Sequence, residues 1–166
     1  VKVFGIYKME EKVLNYIKNV LEVPRDEYNG MPTCPFAKQE RESNNIYIDT
    51  LSNDNDFIKC MHNFVESGVN SAVFIQNDEL GEVETKRYQK FLNNTLKTLD
   101  LSNWKALCIN PNDDLEVDGF NARSLAPCFM VLINNKKDIY YAHKSMQKTK
   151  YYDKMDPKYK KYLGIK

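Results

Sequence analysis

Residues 72–75, Ala72-Val73-Phe74-Ile75, form a continuous apolar run followed by the polar Asn77-Asp78. A run this short, apolar throughout and bounded by polar punctuation, reads as a strand buried on both faces. Upstream, Ile46-Tyr47-Ile48 is a second short strand. Between the two, Phe57, Cys60/Met61, Phe64 and Val65 recur at helical spacing, with Ser52-Asn53-Asp54 as N-cap candidates and Gly68 as the stop. Downstream, Asn77-Asp78 can cap a helix running to about Leu99 with the face Tyr88, Phe91/Leu92, Thr95/Leu96 and Leu99; Lys105-Ala106-Leu107-Cys108-Ile109 is the next strand. Strands alternating with 10–15-residue helices predict an α/β domain with a β-α-β-α-β core.

The flanks complete the expected architecture. Val1 to Ile6 reads as a short strand, and Val13, Leu14, Tyr16, Ile17, Val20 and Leu21 mark an amphipathic helix from Met9 that Pro24 ends. Residues 24–45 hold three Pro and a charged cluster, which predicts a long loop with at most a short helix after Pro35. Past the acidic stretch Asn110 to Gly119, Phe129 to Ile133 and Ile139 to Ala142 straddle the polar segment 134–138 and read as a C-terminal β-hairpin. Asp156-Pro157 opens a short last helix. The expectation is one α/β domain over 1–166 with a mixed sheet, two or three layers deep.

Composition narrows the function classes. At 166 residues, 42% hydrophobic and 28% charged, the chain suits one soluble globular domain, without the roughly 20 uninterrupted apolar residues of a membrane span. Its first residues lack the basic segment and apolar core of a signal peptide. Four Cys in a chain long enough to build its own core suggest a reducing, cytoplasmic setting rather than a disulfide framework. Abundant Asn, Lys, Ile and Tyr suit an AT-rich genome, bacterial or phage. The net charge of +1 conceals polarity: residues 136–166 carry ten Lys against three acids, about +7, leaving roughly −6 for residues 1–135.

Cys34 is the sharpest chemical candidate. If Pro35 opened a helix, Cys34 would be its N-cap, where backbone N–H groups favour a thiolate, with Lys38 and Arg41 adding positive charge. Arg123 and Ser124 precede Pro127 where a loop enters a strand, a favoured ligand position in open sheets, and Arg123 could clamp a carboxylate or phosphate. Asn121 would give that pocket a polar edge and Phe36 an apolar wall. The competing reading has Cys34 and Phe36 as core fillers and Arg123 in a salt bridge to Asp113, Asp114, Glu116 or Asp118. With only His62 and His143, a metal site would have to be assembled from Cys34, Cys128 and His143; no metal and no cofactor is expected. The segment 144–166 interleaves Lys with Tyr151, Tyr152, Tyr159 and Tyr162, the parts of a sequence-tolerant nucleic-acid surface or of a solvated face whose tyrosines pack inward.

Two resemblances accompany these residues. Lys105 to His143, with strand, acidic segment, Arg-Ser-x-x-Pro, strand, polar turn and strand, resembles the second half of a thioredoxin fold, in which the Pro matching Pro127 is cis. The place of that family's catalytic cysteines reads Gln76-Asn77-Asp78-Glu79 here, so the resemblance implies topology without dithiol chemistry. Cys34-Pro35-Phe36-Ala37 and Arg123-Ser124 with Pro127 resemble, over roughly residues 10–135, the uncharacterised bacterial family called domain of unknown function 1415, with Ala122, Leu125 and Ala126 departing from its late motif and Asn110 and Met130 standing where it has His. That resemblance implies a shared fold and pocket. Omega-class glutathione transferases share Cys-Pro-Phe-Ala, but directly after a first strand. The leading expectation is a thiol-dependent enzyme acting on a small anionic substrate. The alternative is a non-catalytic module binding nucleic acid or a partner protein through Lys144 to Lys166, and the oligomeric state stays open.

Overall fold

The buried strand at residues 72–75 lies inside a four-stranded mixed sheet. The computed structural model describes residues 2–52 and 56–165, with residues 2–7 by backbone alone. Along the chain come helix α1 (Lys2–Tyr16) with a π-helical continuation Ile17–Leu21, and a small antiparallel pair β1 (Pro24–Arg25) and β2 (Met31–Pro32). Then follow α2 (Ala37–Glu42), β3 (Ile46–Thr50), α3 (Phe57–Ser67), β4 (Ser71–Gln76), α4 (Glu82–Thr98), β5 (Trp104–Ile109), β6 (Phe129–Asn135), α5 (Lys136–Met146) and α6 (Pro157–Leu163).

Strand alternation builds two apolar faces. Ala72, Phe74, Ala106, Cys108, Phe129, Val131 and Ile133 point to one side, where Phe57, Cys60, Met61 and Phe64 of α3 and Leu92 and Leu96 of α4 cover them. Val73, Ile75, Ile109 and Met130 point to the other, under Val13 and Tyr16 of α1, Ile17 and Ala37. The fold is therefore three layers. Truncating a core side chain such as Phe74, which is fully buried, is expected to cost about 3–5 kcal/mol. A third cluster, Tyr28, Val117, Met146, Tyr151, Tyr152 and Met155, fastens the C-terminal segment to the β1–β2 hairpin and the 110–122 loop.

The sheet differs from the expected β-α-β-α-β core in one respect. β3 and β4 are parallel, but β6 inserts antiparallel between β4 and β5, with Val73 opposite Leu132 and Leu107 opposite the same residue. β5 thus becomes an edge strand, and its outer edge is closed by side chains. Asn93 acts as a short stretch of strand: its amide donates to the Ala106 carbonyl at 2.9 Å and its oxygen accepts the Ala106 N–H at 3.0 Å. Gln89 accepts the Cys108 N–H at 2.8 Å.

Several boundaries move. Residues 2–6 are helix rather than strand, because no proline breaks the repeat leading back from Val13. The C-terminal hairpin is absent: after β6 the chain turns into α5, because Asn135 caps it by accepting the Lys137 N–H at 2.9 Å. Ile139, Ala142 and His143, half-buried, and Met146, buried, form its inner face at helical spacing. The strand–turn–strand behind the thioredoxin resemblance is therefore a strand–cap–helix, and among the described residues no peptide bond is cis, Pro127 included. The cap of α3 is Asp56, whose carboxylate accepts the Lys59 N–H, while Asn53 and Asp54 lie outside the described residues. Gly68 ends that helix at φ 70°, as its position suggests. Gly81, not Asn77 or Asp78, caps α4, whose buried face is Thr85, Leu92 and Leu96; Phe91 and Leu99, like Val65 on α3, are exposed. Asp156 caps α6 with Pro157 in its first turn, as read from the sequence.

Candidate functional site

Cys34 sits in a turn ahead of α2. Its N–H donates to the Leu21 carbonyl and its own carbonyl accepts the Ala37 N–H at 3.1 Å. The helix therefore starts at Ala37, with Phe36 rather than Cys34 at the cap. The N–H groups of Phe36 and Ala37 do pull the Cys34 pKa down, but burial pushes it up by more, and Glu22 and Glu40 push the same way. Arg41 does not compensate, because its guanidinium is held bidentately by Glu22 at 2.6 and 3.0 Å. The result is a protonated thiol packed against the α1 face of the core, with no low-pKa character. Phe36 points away and is partly exposed.

Arg123 lies in a 3-10 turn, Arg123–Leu125, and is 3% exposed. Its Nη1 donates to the Cys108 carbonyl at 2.7 Å and to Asp113 Oδ2 at 2.9 Å, and the guanidinium carbon lies 4.8 Å from the Tyr162 ring centroid. Burial raises the Asp113 pKa while the guanidinium draws it down. Asn121 ties the turn together: its amide donates to the Asp113 carbonyl at 2.6 Å, and its oxygen accepts the N–H groups of Arg123 and Ser124. Ser124 is exposed, yet its hydroxyl donates back to the Asn121 carbonyl. The Arg123 side chain thus points into the protein, where its charge is matched and its ring partner stacks, so it does not present a clamp to solvent.

The two loops do approach one another. Tyr16 of α1 donates its hydroxyl to the Ala122 carbonyl at 2.8 Å, and Cys34 and Ala126 pack in the same cluster. What lies between them is packed side chain. Two concavities lie elsewhere. One of about 520 Å³ is lined by Asp114, Glu116, Asp118, Asp153, Asp156 and Tyr159, and an adjoining one of about 370 Å³ by Glu82, Lys86, Asp113, Lys158, Lys161 and Tyr162. Neither is lined by Cys34, Phe36, Asn121, Arg123, Ser124 or Pro127. Among the described residues no three His, Cys, Asp or Glu side chains converge on a metal-sized centre, Cys34, Cys128 and His143 included. All four cysteines are free thiols. Among the described residues no helix is long and apolar enough to cross a membrane.

The tyrosines of the basic segment face inward. Tyr151 and Tyr152 are buried, stacked edge to face at 4.9 Å, with the Tyr151 hydroxyl donating to the Thr33 carbonyl and Tyr152 bonded to His143 Nδ1 at 2.5 Å. Tyr162 reaches Gln89 Oε1 at 3.2 Å. Within residues 136–165 the exposed aromatics are instead Tyr140 and Tyr141 on α5, 59% and 55% exposed and 5.5 Å apart. At about 100° per residue, Lys137, Tyr140, Tyr141 and Lys144 share one outward face of that helix. Lys144 Nζ lies 5.8 Å from the Tyr140 ring centroid, and exposed Lys148 follows just beyond the helix end. Among the described residues no carboxylate pairs with these lysines. Reading residues 139–142 as a strand hides this face; the signal that reveals it is the 137, 140/141, 144 spacing.

No protein-family model, curated protein or solved structure matches the chain, so function has to be argued from its own residues.

Proposed function

We propose that this protein is a non-catalytic binding module for single-stranded nucleic acid, with the outer face of α5 as its contact surface. The observation that carries the reading is the pair Tyr140 and Tyr141, each more than half exposed and flanked by Lys137 and Lys144 on the same face. Exposed rings offer stacking surfaces to unpaired bases, and unpaired ammonium groups beside them neutralise phosphates. Lys137 and Lys144 lie about 10.5 Å apart along the helix, close to three steps of a stacked strand at about 3.4 Å axial rise per step.

The thiol-enzyme expectation has less support. Cys34 is held as a protonated core filler, Arg123 is committed to Asp113, and both family-like motifs serve packing: Cys-Pro-Phe-Ala leads into α2, and Arg-Ser-x-x-Pro leads into β6. The four free thiols fit a reducing, cytoplasmic location.

Fluorescence anisotropy with a labelled oligothymidylate tests the reading. The expected result is salt-sensitive binding, with log K falling against log salt at a slope of about −2 for three neutralised phosphates. The double substitution Tyr140→Ala and Tyr141→Ala is expected to weaken it at least tenfold, since stacking contributes about 1–3 kcal/mol per base. Binding absent at low salt, or unchanged in the double variant, overturns the proposal.

A further inference from the structure

The two edges of the sheet are finished differently. Along β5, Asn93 satisfies both main-chain groups of Ala106, while Gln89 and Arg123 take the N–H and the carbonyl of Cys108. On β3, successive residues alternate between facing β4 and facing outward. Ser71 N–H donates to the Asn45 carbonyl and Leu51 N–H to the Ile75 carbonyl, so the odd-numbered residues face β4. The main-chain groups of Ile46 and Ile48 therefore point out of the sheet. Among the described residues no side chain or loop bonds to them, and both residues are half-buried rather than covered. Open main-chain edges are templates for a further strand.

We infer that a second copy of this chain occupies that edge, β3 pairing antiparallel with its counterpart across a two-fold axis at Tyr47 to make a continuous eight-stranded sheet. Side-chain complementarity selects this occupant and this register. About Tyr47, Ile46 lies opposite Ile48 of the partner subunit and each such pair exchanges both N–H to carbonyl bonds, four bonds in all. Tyr47 meets Tyr47 of the partner subunit, and Asn45 meets Asp49 of the partner subunit. These are β-branched, aromatic and amide–carboxylate pairs, the kinds that stabilise antiparallel neighbours, and no like charges are opposed. A two-fold axis at Ile48 instead would require the Thr50 N–H, which already donates to Asp49 Oδ1 at 2.8 Å. The interface is isologous and closes at two copies, and each sheet keeps its sealed β5 edge at the far end.

The test is sedimentation equilibrium on the full chain from about 1 μM to about 1 mM, with two substitutions of opposite sign at one partly exposed position. Asn45→Asp opposes two like-charge pairs and is expected to weaken dimerisation about fivefold; Asn45→Lys creates two opposite-charge pairs and is expected to strengthen it by a similar factor. Thermal melts of both variants establish that the monomer is intact. A monomer at every concentration overturns the inference. So does a dimer that shifts in the same direction, or not at all, with both substitutions, which would place the contact on another surface or leave the β3 edge to a strand from a different protein.

Discussion

Tyr140 and Tyr141 on α5 and Tyr151 and Tyr152 just beyond it are adjacent tyrosine pairs in the same lysine-rich stretch, yet one pair is more than half exposed and the other 8% exposed. Composition treats them alike; the backbone does not. Tyr140 and Tyr141 lie on the side of a helix whose inner face is already filled by Ile139, Ala142, His143 and Met146. Tyr151 and Tyr152 follow the helix end, in a turn that folds back over Tyr28 and Val117 and completes the third apolar cluster. A Lys/Tyr-rich run therefore serves two purposes, one holding the domain together and one presented to solvent, and only the helix register separates them.

The comparison is tested first where the expected effect is largest. Arg123→Ala removes the cation from a buried pair and leaves Asp113 charged without a partner, an expected loss of about 3–5 kcal/mol in urea unfolding. A loss under about 1 kcal/mol would show that Arg123 is not the anchor for Tyr162 and the 110–122 loop. Tyr151→Phe keeps the ring and removes only the hydroxyl that donates to Thr33, which should cost about 1–2 kcal/mol. Against these, Tyr140→Ala should stay within about 0.5 kcal/mol of the parent, because its ring fills no core position. A Tyr140→Ala change as costly as Tyr151→Phe would erase the distinction between the two pairs and remove the basis for reading α5 as a contact surface.

How much of this was legible in the sequence follows from where the determinants lie. The strands at 46–48, 72–75, 105–109 and 129–133, the α3 helix with its Gly68 stop and the Asp156-Pro157 start were readable, because apolar period and capping chemistry are local. The order of strands was not. Nothing near Phe129 says that β6 will lie between β4 and β5, since its partners are residues 71–76 and 104–109, far from it in sequence. Asn134-Asn135 misled for a local reason: Asn serves equally in a hairpin turn and at a helix N-cap, and the choice depends on Met146, seven residues past Ile139, finding the third cluster. Cys34 misled in the opposite sense. Cys-Pro is a good helix opening, but burial and the Glu22 carboxylate that captures Arg41 come from α1's continuation and are invisible around position 34. The Asp113 partner of Arg123, by contrast, was among the acids the sequence offered.

An effect that shows only as a difference between two pH profiles lies at the seam between the two tyrosine pairs, in His143, whose ring is bonded to Tyr152 from the inner side of α5. Burial, and then the nearby Lys105, lower its pKa from the ordinary 6.5. The unfolded chain therefore takes up a proton near pH 6.5 that the folded chain still refuses. Stability contributed by neutral His143 is full above that value and is lost as pH falls through it toward the lowered folded pKa, at no more than about 1.4 kcal/mol per pH unit for one proton. Asp113 and Glu40, with pKa values raised by burial, act in the opposite sense, so the contribution has to be read as a difference. Urea midpoints of the parent and of His143→Gln, measured from pH 7.5 to 5.5, should converge as the pH falls, the parent losing more than the variant. Parallel profiles would mean that His143 titrates alike in both states, and that the inner side of α5 is not buried enough against the domain to lower its pKa.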